Sequence, residues 1–431
     1  MKLTIHRGTH EIGGTLIEIK TAHTRLLIDT GYPLFLNGMP IEDDVAKLPA
    51  KKLLELGVLP PIEGLYRWDM PSFDAIAISH AHIDHYGLLK YVHSDIPVYM
   101  SAGTKKLIEI SQTFKICDAY PINTSVFNMY EPFKIGDFSV KPYLMDHSAF
   151  DAAAFEISAE DKTIIYSGDF RGHGRKAVCL DMFIKYAKKL ADILLTEGTM
   201  FNRQDEEILT ESELEKSIEN EIKNCNAPVL FQSSSQNIDR MVTFYRVALK
   251  LGKAFVVDIY TANILYDLRQ LGNNLPYPSN EYSNIKVFYP YRLTQKIFNE
   301  IGEEYAKRFS AFYMPKEKLK NEQNNIIMMV RPSMLKDLEK CKFQDGIFIY
   351  SMWQGYRDSE YQQKFEKYLK SVGFASKALH TSGHASVFDV KRIITGLDPK
   401  TVIPIHTMTP NAFMGFSDKT ELKEDGKEFE I

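Results

Sequence analysis

The feature that most constrains this chain is the hexapeptide HAHIDH at residues 80–85, which places four potential metal ligands in six positions. It directly follows the apolar run 73–79, which predicts a buried strand, so the ligands fall in the loop at the carboxyl end of that strand. Imidazole and carboxylate ligands without thiolate suit zinc or manganese in a hydrolytic site. A solvated turn that is rich in histidine by chance is the alternative, but three of the twelve histidines lie in these six residues. The hexapeptide therefore predicts a metal loop.

The spacing inside the hexapeptide predicts two separate pairs of ligands. In extended backbone, His80 and His82 point to the same side, because side-chain direction repeats every two residues. Asp84 and His85 come where the chain turns into a predicted helix over 86–93, so they project elsewhere. One pair can hold one ion while the other pair holds a second ion close by.

Composition places the chain among ordinary globular proteins, since 44% of its 431 residues are hydrophobic and 25% are charged. No apolar stretch approaches the roughly twenty residues that span a bilayer, and the N-terminus lacks the apolar core of a signal peptide. The net charge of −4 argues against indiscriminate nucleic-acid binding without excluding a nuclease. Scattered cysteines predict free thiols in a reducing cytoplasm, and we expect a cytoplasmic protein without a membrane partner. The cysteines are Cys117, Cys179, Cys225 and Cys341.

The predicted elements change in character along the chain. Residues 1–205 are rich in predicted strands, several of which end in a polar residue, as happens where a rigid sheet presents functional loops to one face. From 206 to 374, helices alternate with short apolar strands, which is the pattern of a parallel α/β sheet. Residues 375–431 are predicted to contain a strand at 377–380, a helix and a final strand at 401–406. The predicted strands of the first part are 3–6, 15–19, 25–29, 73–79, 98–101, 138–142, 153–157 and 163–167.

Four isolated residues at predicted strand ends or helix starts are further candidates, namely His147, Asp169, His384 and His406. Each alone is weak, because a single histidine at a strand end is more often structural. Two ions about 3.5–4 Å apart need a bridging carboxylate and about three protein ligands each. Together with the hexapeptide, these residues supply such a set.

On these residues the sequence resembles a known family. HAHIDH followed by His147, Asp169 and His406 is similar to the metallo-β-lactamase fold, an αββα sandwich that carries metals at its sheet edges. LLTEGT at 194–199 is similar to the acidic motif that opens the β-CASP insertion. HTSGHAS at 380–386 resembles the signature of ribonuclease J and its relatives. The resemblance runs over the whole chain with its motifs in order.

The resemblance implies an α/β fold with three segments. Residues 1–205 and 375–431 would form the two parts of the metallo-β-lactamase domain. Residues 206–374 would form an inserted parallel α/β domain of the β-CASP type. Seven ligands would hold two divalent ions, with zinc expected and manganese or magnesium as alternatives. In order of first ion, second ion and bridge, these ligands are His80, His82 and His147, then Asp84, His85 and His406, then Asp169.

Three residues receive catalytic roles from the same resemblance. Asp84 is counted as catalytic as well as a ligand. His384 would contact the scissile phosphate or protonate the leaving oxygen. Glu197 would orient a ligand histidine, because a metal-bound imidazole needs an acceptor on its other nitrogen.

A serine-rich turn at 232–237 follows a predicted strand and precedes a predicted helix, and it has two interpretations. Free N–H groups at a helix start, together with serine hydroxyls, can bind phosphate, as a similar turn does near the 5′ end of RNA in ribonuclease J-like proteins. The alternative is a simple helix cap, since serine and asparagine are favoured there without any ligand. Arg331 is a weaker phosphate candidate. The principal candidates are Ser233, Ser234, Ser235, Asn237 and Arg240.

These observations predict a metal-dependent phosphodiesterase that hydrolyses single-stranded RNA by two-metal activation of a bridging water. Both endonuclease and 5′-exonuclease action stay open, and so does assembly into a homo-oligomer. One alternative is a hydrolase of the same fold acting on a small ester, lactone or thioester, which would need neither His384 nor the insertion. A second is a non-catalytic scaffold in an RNA-processing complex, although such partners usually lack ligands. The long connection 34–70 either shapes substrate access or is a surface excursion.

Overall fold

In the computed structural model, the described residues are 1–36, 38–41, 44–120, 122–203, 208–272 and 274–431. They form three large sheets and a short hairpin within the connection 34–70, whose strands are Phe35–Leu36 and Met39–Pro40. No helix in the described part of the chain combines the length and the apolar character needed to cross a bilayer.

The first two sheets are mixed, because each contains both antiparallel and parallel pairs of neighbouring strands. In spatial order, the first sheet consists of Glu428–Glu430, Lys2–Arg7, Leu16–Lys20, Arg25–Ile28, Ala75–Ala77, Val98–Met100 and Thr124–Val126. The second consists of Thr401–Ile405, Ile193–Glu197, Lys162–Tyr166, Ala152–Ala159, Phe138–Met145 and Phe133–Ile135.

Burial shows that these two sheets pack face to face with helices on both outer sides. Ile17 and Ile28 of the first sheet share one apolar core with Phe155 and Ile164 of the second. The outer face of the second sheet packs against the helices Val178–Tyr186 and Val387–Leu397, and the outer face of the first against Ala50–Glu55 and Ala102–Thr113. This arrangement confirms the predicted αββα sandwich, because consecutive apolar residues such as Leu26, Leu27 and Ile28 give a sheet two faces to bury.

The third sheet is entirely parallel, as the alternating helix and strand pattern predicts. Its strands, in spatial order, are Ile285–Phe288, Ala254–Asp258, Ile326–Met329, Val229–Gln232, Ile347–Tyr350 and Ala375–Ala378. Its α-helices are Glu211–Ile222, Ile238–Lys250, Ile259–Leu268, Tyr291–Glu300, Glu303–Lys307, Lys316–Asn321, Leu335–Cys341 and Glu360–Ser371.

The structure bears on only one of the two predicted boundaries of the third sheet. The predicted boundary at 205/206 lies outside the described residues. The predicted boundary at 374/375 comes too early, because Ala375–Ala378 pairs in parallel with Ile347–Tyr350 as the edge strand of the third sheet. We therefore place the return to the first two sheets after Ala378.

The predicted helix over 86–93 is wrong. The helix instead runs over Ile83–Tyr86, with His82 at its N-cap, and a separate 3-10 turn covers Leu89–Tyr91. The backbone N–H of Leu88 donates to the carbonyl of Thr30 rather than to the preceding turn. A contact with a distant loop thus ends the helix early, which hydrophobic periodicity alone cannot reveal.

Candidate metal centre

The candidate ligands meet where strands of the first and second sheets end. His80 and His82 follow Ala75–Ala77 of the first sheet. The other contributors lie at or just after the ends of four strands of the second sheet. They come close together because a rigid sheet presents the loops at one edge to the same side. These residues are His147, Asp169, Glu197 and His406.

Three imidazole nitrogens form the first ligand set. Nδ1 of His82 lies 3.1 Å from Nε2 of His80 and 3.1 Å from Nε2 of His147. A tetrahedral ion with bonds of 2.0–2.1 Å requires ligand atoms about 3.3 Å apart, so this spacing suits zinc. Nδ1 of His147 donates to the carbonyl of Gly383 at 2.6 Å, which leaves Nε2 free to face the other two rings.

The second ligand set contains Asp84, His85 and His406. Oδ2 of Asp84 lies 3.3 Å from Nε2 of His406 and 4.0 Å from Nε2 of His85. Oδ2 of Asp169 lies 3.2 Å from Nε2 of His85 and 3.7 Å from Nε2 of His406. The same oxygen of Asp169 is 3.8 Å from Nε2 of His80 in the first set. One carboxylate oxygen therefore faces both sets.

Burial and neighbouring charges fix the protonation of the first set. Burial is the largest cause that lowers the pKa of His82 to about 4, and it holds the pKa of His80 and His147 well below the ordinary value. These three rings are therefore neutral at pH 7, as metal ligands must be. In the second set, burial opposes the ionised form of Asp84, but His406 and His85 outweigh it and lower the pKa of Asp84 to about 2.

Two buried atoms at the centre of the cluster have no hydrogen-bond partner, although they lie 3.2 Å apart. They are Nε2 of His85 and Oδ2 of Asp169. Such orphaned polar atoms are costly in a buried position unless something else satisfies them. Because both atoms face the common space between the ligand sets, the residues present fit a divalent metal site. The chemistry of the donors, imidazole and carboxylate, agrees with that fit.

Asp29 orients His85 and escaped sequence reasoning as a site residue. Its Oδ2 accepts from Nδ1 of His85 at 2.8 Å and from the hydroxyl of Tyr166 at 2.6 Å. Oδ1 accepts from the backbone N–H of Ser79 at 2.7 Å. Asp29 has a φ of +58°, and in the sequence it both ends the predicted strand 25–29 and begins the turn Asp29-Thr30-Gly31. Its position at the end of a strand was the available signal.

Gly31 explains why that turn can approach the metal loop. Its backbone packs so closely on the loop that an added Cβ would lie 1.9 Å from the carbonyl oxygen of Asp84. The adjacent N–H groups of Thr30 and Tyr32 donate to the carbonyls of His85 and Ile83. Only glycine fits at this contact, so the turn fixes the ligand loop through its backbone.

Glu197 contacts His384 rather than one of the predicted ligand histidines. Its Oε2 lies 3.1 Å from Nδ1 of His384, while Oε1 accepts from the backbone N–H of Phe170 at 2.9 Å. His384 is 23% exposed, and its Nδ1 lies 3.6 Å from Oδ2 of Asp169. Burial opposes the protonated imidazole, but Glu197 and Asp169 outweigh burial and raise the pKa of His384 to about 9. Glu197 was expected to contact a ligand histidine, but in the structure it contacts His384.

Thr199 is a second residue that sequence reasoning missed. Its hydroxyl shares a hydrogen bond of 2.9 Å with Nδ1 of His406 and one of 3.2 Å with Nδ1 of His384. It thus supplies to His406 the outer contact that was expected from Glu197. Thr199 follows the strand Ile193–Glu197 by two residues, so only the fold could reveal its two contacts.

The serine turn lies at the carboxyl end of Val229–Gln232. One of its residues caps the following helix, and others make different hydrogen bonds or none. Asn237 caps the following helix by accepting from the N–H of Arg240. The hydroxyl of Ser235 accepts from Arg331 and shares a hydrogen bond with Thr261. The three serines differ in environment: Ser234 is exposed, Ser235 is buried, and Ser233 is buried with its hydroxyl unpartnered.

Arg240 does not face the open side of the serine turn. Its side chain is fully buried, and its Nε donates to Oε1 of Glu211 at 2.8 Å. The remaining nitrogens donate to the carbonyls of Ser351 and Thr381 and contact His380. We therefore do not retain Arg240 as a phosphate ligand, because its hydrogen-bonding capacity is taken up inside the protein.

Comparison with known proteins agrees with this architecture. Residues 24–219 match the beta-lactamase superfamily domain. Ribonuclease J of Helicobacter pylori strain 26695 is 22% identical over 94% of this chain and 56% of its own length. Ribonuclease J of Mycoplasma genitalium is 23% identical over 94% of this chain and 67% of its own. The chain thus spans little more than half the length of the Helicobacter pylori relative.

A solved structure matches the whole fold. The crystal structure of a protein of unknown function from Enterococcus faecalis V583 has a TM-score of 0.80 and 22% identity, and the match covers 99% of both chains. The probable ribonuclease MJ4 of Methanocaldococcus jannaschii is 27% identical over 47% of this chain and 46% of its own. The structural match extends the same architecture through the third sheet.

Proposed function

Because the chain carries a beta-lactamase superfamily domain and is ribonuclease J-like over nearly its whole length, we propose that it is a metal-dependent ribonuclease. One observation carries the proposal: Oδ2 of Asp169 faces both ligand sets, with Nδ1 of His384 only 3.6 Å away. Two sets that share one carboxylate oxygen support a pair of ions, with zinc as the first choice. We place the activity in the cytoplasm because the four cysteines are free.

The residues of the chain divide the work of hydrolysis. When bound, divalent ions supply an activated water at neutral pH and positive charge for phosphoryl oxygens. Asp29 holds His85 in the tautomer that presents Nε2, and Gly383 does the same for His147 through its carbonyl. Glu197 engages Nδ1 of His384, so the other ring nitrogen is left to donate to the scissile phosphate or to the leaving oxygen.

The two alternative functions make different demands on these residues. A small-molecule hydrolase of this fold needs the ligand sets but not His384 or the third sheet. A non-catalytic scaffold needs neither, although every ligand of both sets is present here. The position of His384 beside Asp169 supports hydrolysis over a scaffold role, because a charge-stabilising group serves a developing oxyanion. The similarity to ribonuclease J supports a phosphodiester as the substrate.

His384→Ala tests this choice. We expect single-stranded RNA hydrolysis to fall by roughly 10²-fold or more, as for a lost acid or charge-stabilising donor. Bound metal, measured by elemental analysis, should stay at the wild-type amount. His23→Ala, an exposed histidine away from the cluster, is the control and should change neither quantity. Loss of metal from His384→Ala would make His384 a ligand, and hydrolysis of lactones or thioesters without any nucleic acid would favour the first alternative.

The serine turn is proposed to bind the phosphate at the 5′ end of the RNA. It lies beside the segment that follows Ile326–Met329, where Arg331 donates to Ser235 and, at 2.7 Å, to Oδ2 of Asp258. Ligands of open parallel sheets bind in the crevice outside the carboxyl ends of the strands, which is the position of this turn. The unpartnered hydroxyl of Ser233 supplies a further donor.

Ser235→Ala separates phosphate binding from capping. We expect kcat/KM for 5′-monophosphorylated RNA to fall about tenfold or more, since a hydrogen bond to a charged group contributes about 1.5–3 kcal/mol. Hydrolysis of 5′-hydroxyl RNA should be nearly unchanged, because the scissile phosphate lies at the metals. Ser371→Ala is the matched control, because Ser371 is exposed at the C-terminal end of the helix Glu360–Ser371 and lies outside the serine turn. Equal loss on both substrates for Ser235→Ala would leave the turn as a helix cap.

A further inference from the structure

Two accessible aromatic rings lie on the loop that follows Ile347–Tyr350 in the third sheet. Trp353 is 40% exposed and Tyr356, in the 3-10 turn Gln354–Asp358, is 55% exposed. Their ring centroids are 5.2 Å apart in an edge-to-face arrangement. Large aromatic side chains normally bury most of their surface, so two adjacent accessible rings offer stacking faces to a molecule outside the chain.

Backbone contacts tie this loop to the His384 segment. The hydroxyl of Ser351 donates to the carbonyl of Leu379, and Arg240 donates to the carbonyl of Ser351 at 3.1 Å. The same guanidinium lies 3.2 Å from Nδ1 of His380. Leu379 and His380 lead directly into His384, so the aromatic loop runs beside the segment that reaches the metal centre.

Tyr356 lies on the same loop as Trp353, beside the His384 segment. Hydrogen bonds of Ser351 and Arg240 establish this position of the loop. Burial, with the charge of Asp84 as a further cause, raises the pKa of the Tyr356 hydroxyl, which agrees with that position. More than half of the Tyr356 side chain stays accessible.

An arginine in a loop of the second sheet lies next to the two aromatic rings. The guanidinium carbon of Arg203 lies 5.6 Å from the Trp353 ring centroid. Arg203 follows Glu197 and Thr199, and its N–H donates to the carbonyl of Met200. The loop from the second sheet and the aromatic loop from the third thus meet beside the ligand cluster, and they bring positive charge next to accessible ring faces.

We propose that Trp353 and Tyr356 stack on bases of a single-stranded nucleic acid whose scissile phosphate lies at the metal centre, with Arg203 neutralising an adjoining phosphate. This inference rests on the proposed ribonuclease function and adds to it the side chains that would hold the bases of the strand. Aromatic rings accept any base, because every base has a π face, and a nearby cation follows the backbone. Paired strands would keep their bases stacked on each other and could not use these rings.

Binding to two strands with the same backbone tests the stacking. One is a ten-nucleotide RNA with phosphorothioate linkages, which resists cleavage by the metal-loaded protein, and the other has the same backbone without bases. We expect Trp353→Ala to weaken binding to the first strand by about ten- to a hundredfold. Binding to the abasic strand should be unchanged, since only phosphates contact the protein there. Trp353→Phe keeps a ring and should restore most of the affinity.

The second tryptophan supplies both a control and a spectroscopic signal. The chain has only two tryptophans, and Trp68 is 44% exposed and stacks on Tyr66 with centroids 4.8 Å apart. Trp68→Ala should bind both strands like the wild type. In Trp68→Phe, Trp353 is the sole emitter, and we expect base-containing strand to quench it while abasic strand does not. Tyr356→Leu should give a smaller loss on the base-containing strand alone and serves if Trp353→Ala does not fold.

The outcomes separate this inference from the function on which it rests. Equal weakening on both strands, or none on either, overturns the stacking while RNA hydrolysis by the wild type leaves the ribonuclease intact. A wild type that hydrolyses lactones but neither binds nor cleaves nucleic acid overturns both. Quenching of Trp353 by a protein partner, with unchanged affinity of Trp353→Ala for RNA, would likewise overturn the stacking.

Discussion

Asp169→Asn is expected to lose RNA hydrolysis by about 10³-fold or more and to retain at most one ion per chain, against two in the wild type. The reason is that Oδ2 of Asp169 lies within 4.0 Å of imidazole nitrogens from both ligand sets. Metal ions contribute several kcal/mol of transition-state stabilisation, and each 1.36 kcal/mol corresponds to a tenfold rate change. Elemental analysis after purification without chelator and single-turnover cleavage of single-stranded RNA measure the two effects.

Asp161→Asn is the matched control for this substitution. Asp161 lies in the turn between Ala152–Ala159 and Lys162–Tyr166, with a φ of +57° that asparagine also tolerates. The same chemical change at the opposite end of the strand Lys162–Tyr166 should leave both rate and metal content unaltered. Asp84 belongs only to the second ligand set, so Asp84→Ala should lose one ion. Two retained ions and a normal rate in Asp169→Asn would contradict the shared-carboxylate arrangement.

The ligand sets were predictable because their chemistry is concentrated in the sequence. Four ligands lie in the hexapeptide, and the apolar run before it indicates the strand that positions them. The outer contacts could not be read in the same way. Asp29 lies 56 residues from His85, and Thr199 lies 207 residues from His406, so nothing local in the chain pairs them. Only the pairing of strands that are distant in the sequence, within the first sheet for Asp29 and within the second for Thr199, brings these residues within hydrogen-bond distance.

The fold shows the same division between local and distant causes. Apolar stretches predict most strands of the three sheets, because burial of one face or both depends on nearby sequence. The short strands Thr124–Val126, Phe133–Ile135 and Glu428–Glu430 were not predicted. The end of the helix Ile83–Tyr86 depends on a backbone contact with Thr30, and the edge strand Ala375–Ala378 depends on its partner Ile347–Tyr350. Arg240 illustrates the limit for side chains. A cation one turn into a helix behind a serine turn predicts a phosphate ligand, but the fold buries it against Glu211.

Arg240→Ala is expected to lower the free energy of unfolding by about 3–5 kcal/mol, the usual cost of breaking a buried ion pair from one side. Arg240 and Glu211 are both fully buried, and Nε of Arg240 lies 2.8 Å from Oε1 of Glu211. Removal of the guanidinium also removes the hydrogen bonds that its Nη atoms donate to the carbonyls of Ser351 and Thr381. Buried acceptors without donors add to the loss. Urea unfolding followed by circular dichroism measures the change.

Arg246→Ala on the same helix Ile238–Lys250 is the matched control. Its side chain is 53% exposed and pairs with Glu215 at the surface, where an ion pair contributes at most about 1 kcal/mol. Equal losses in the two variants would mean that the buried pair does not hold the third sheet against the His384 segment. A much larger loss in Arg240→Ala supports that role, because Arg240 reaches Thr381 just before His384. Arg240→Ala should then also hydrolyse RNA more slowly at urea concentrations below its own unfolding midpoint. The reason is that the carbonyl that positions His147 belongs to Gly383 in the same segment.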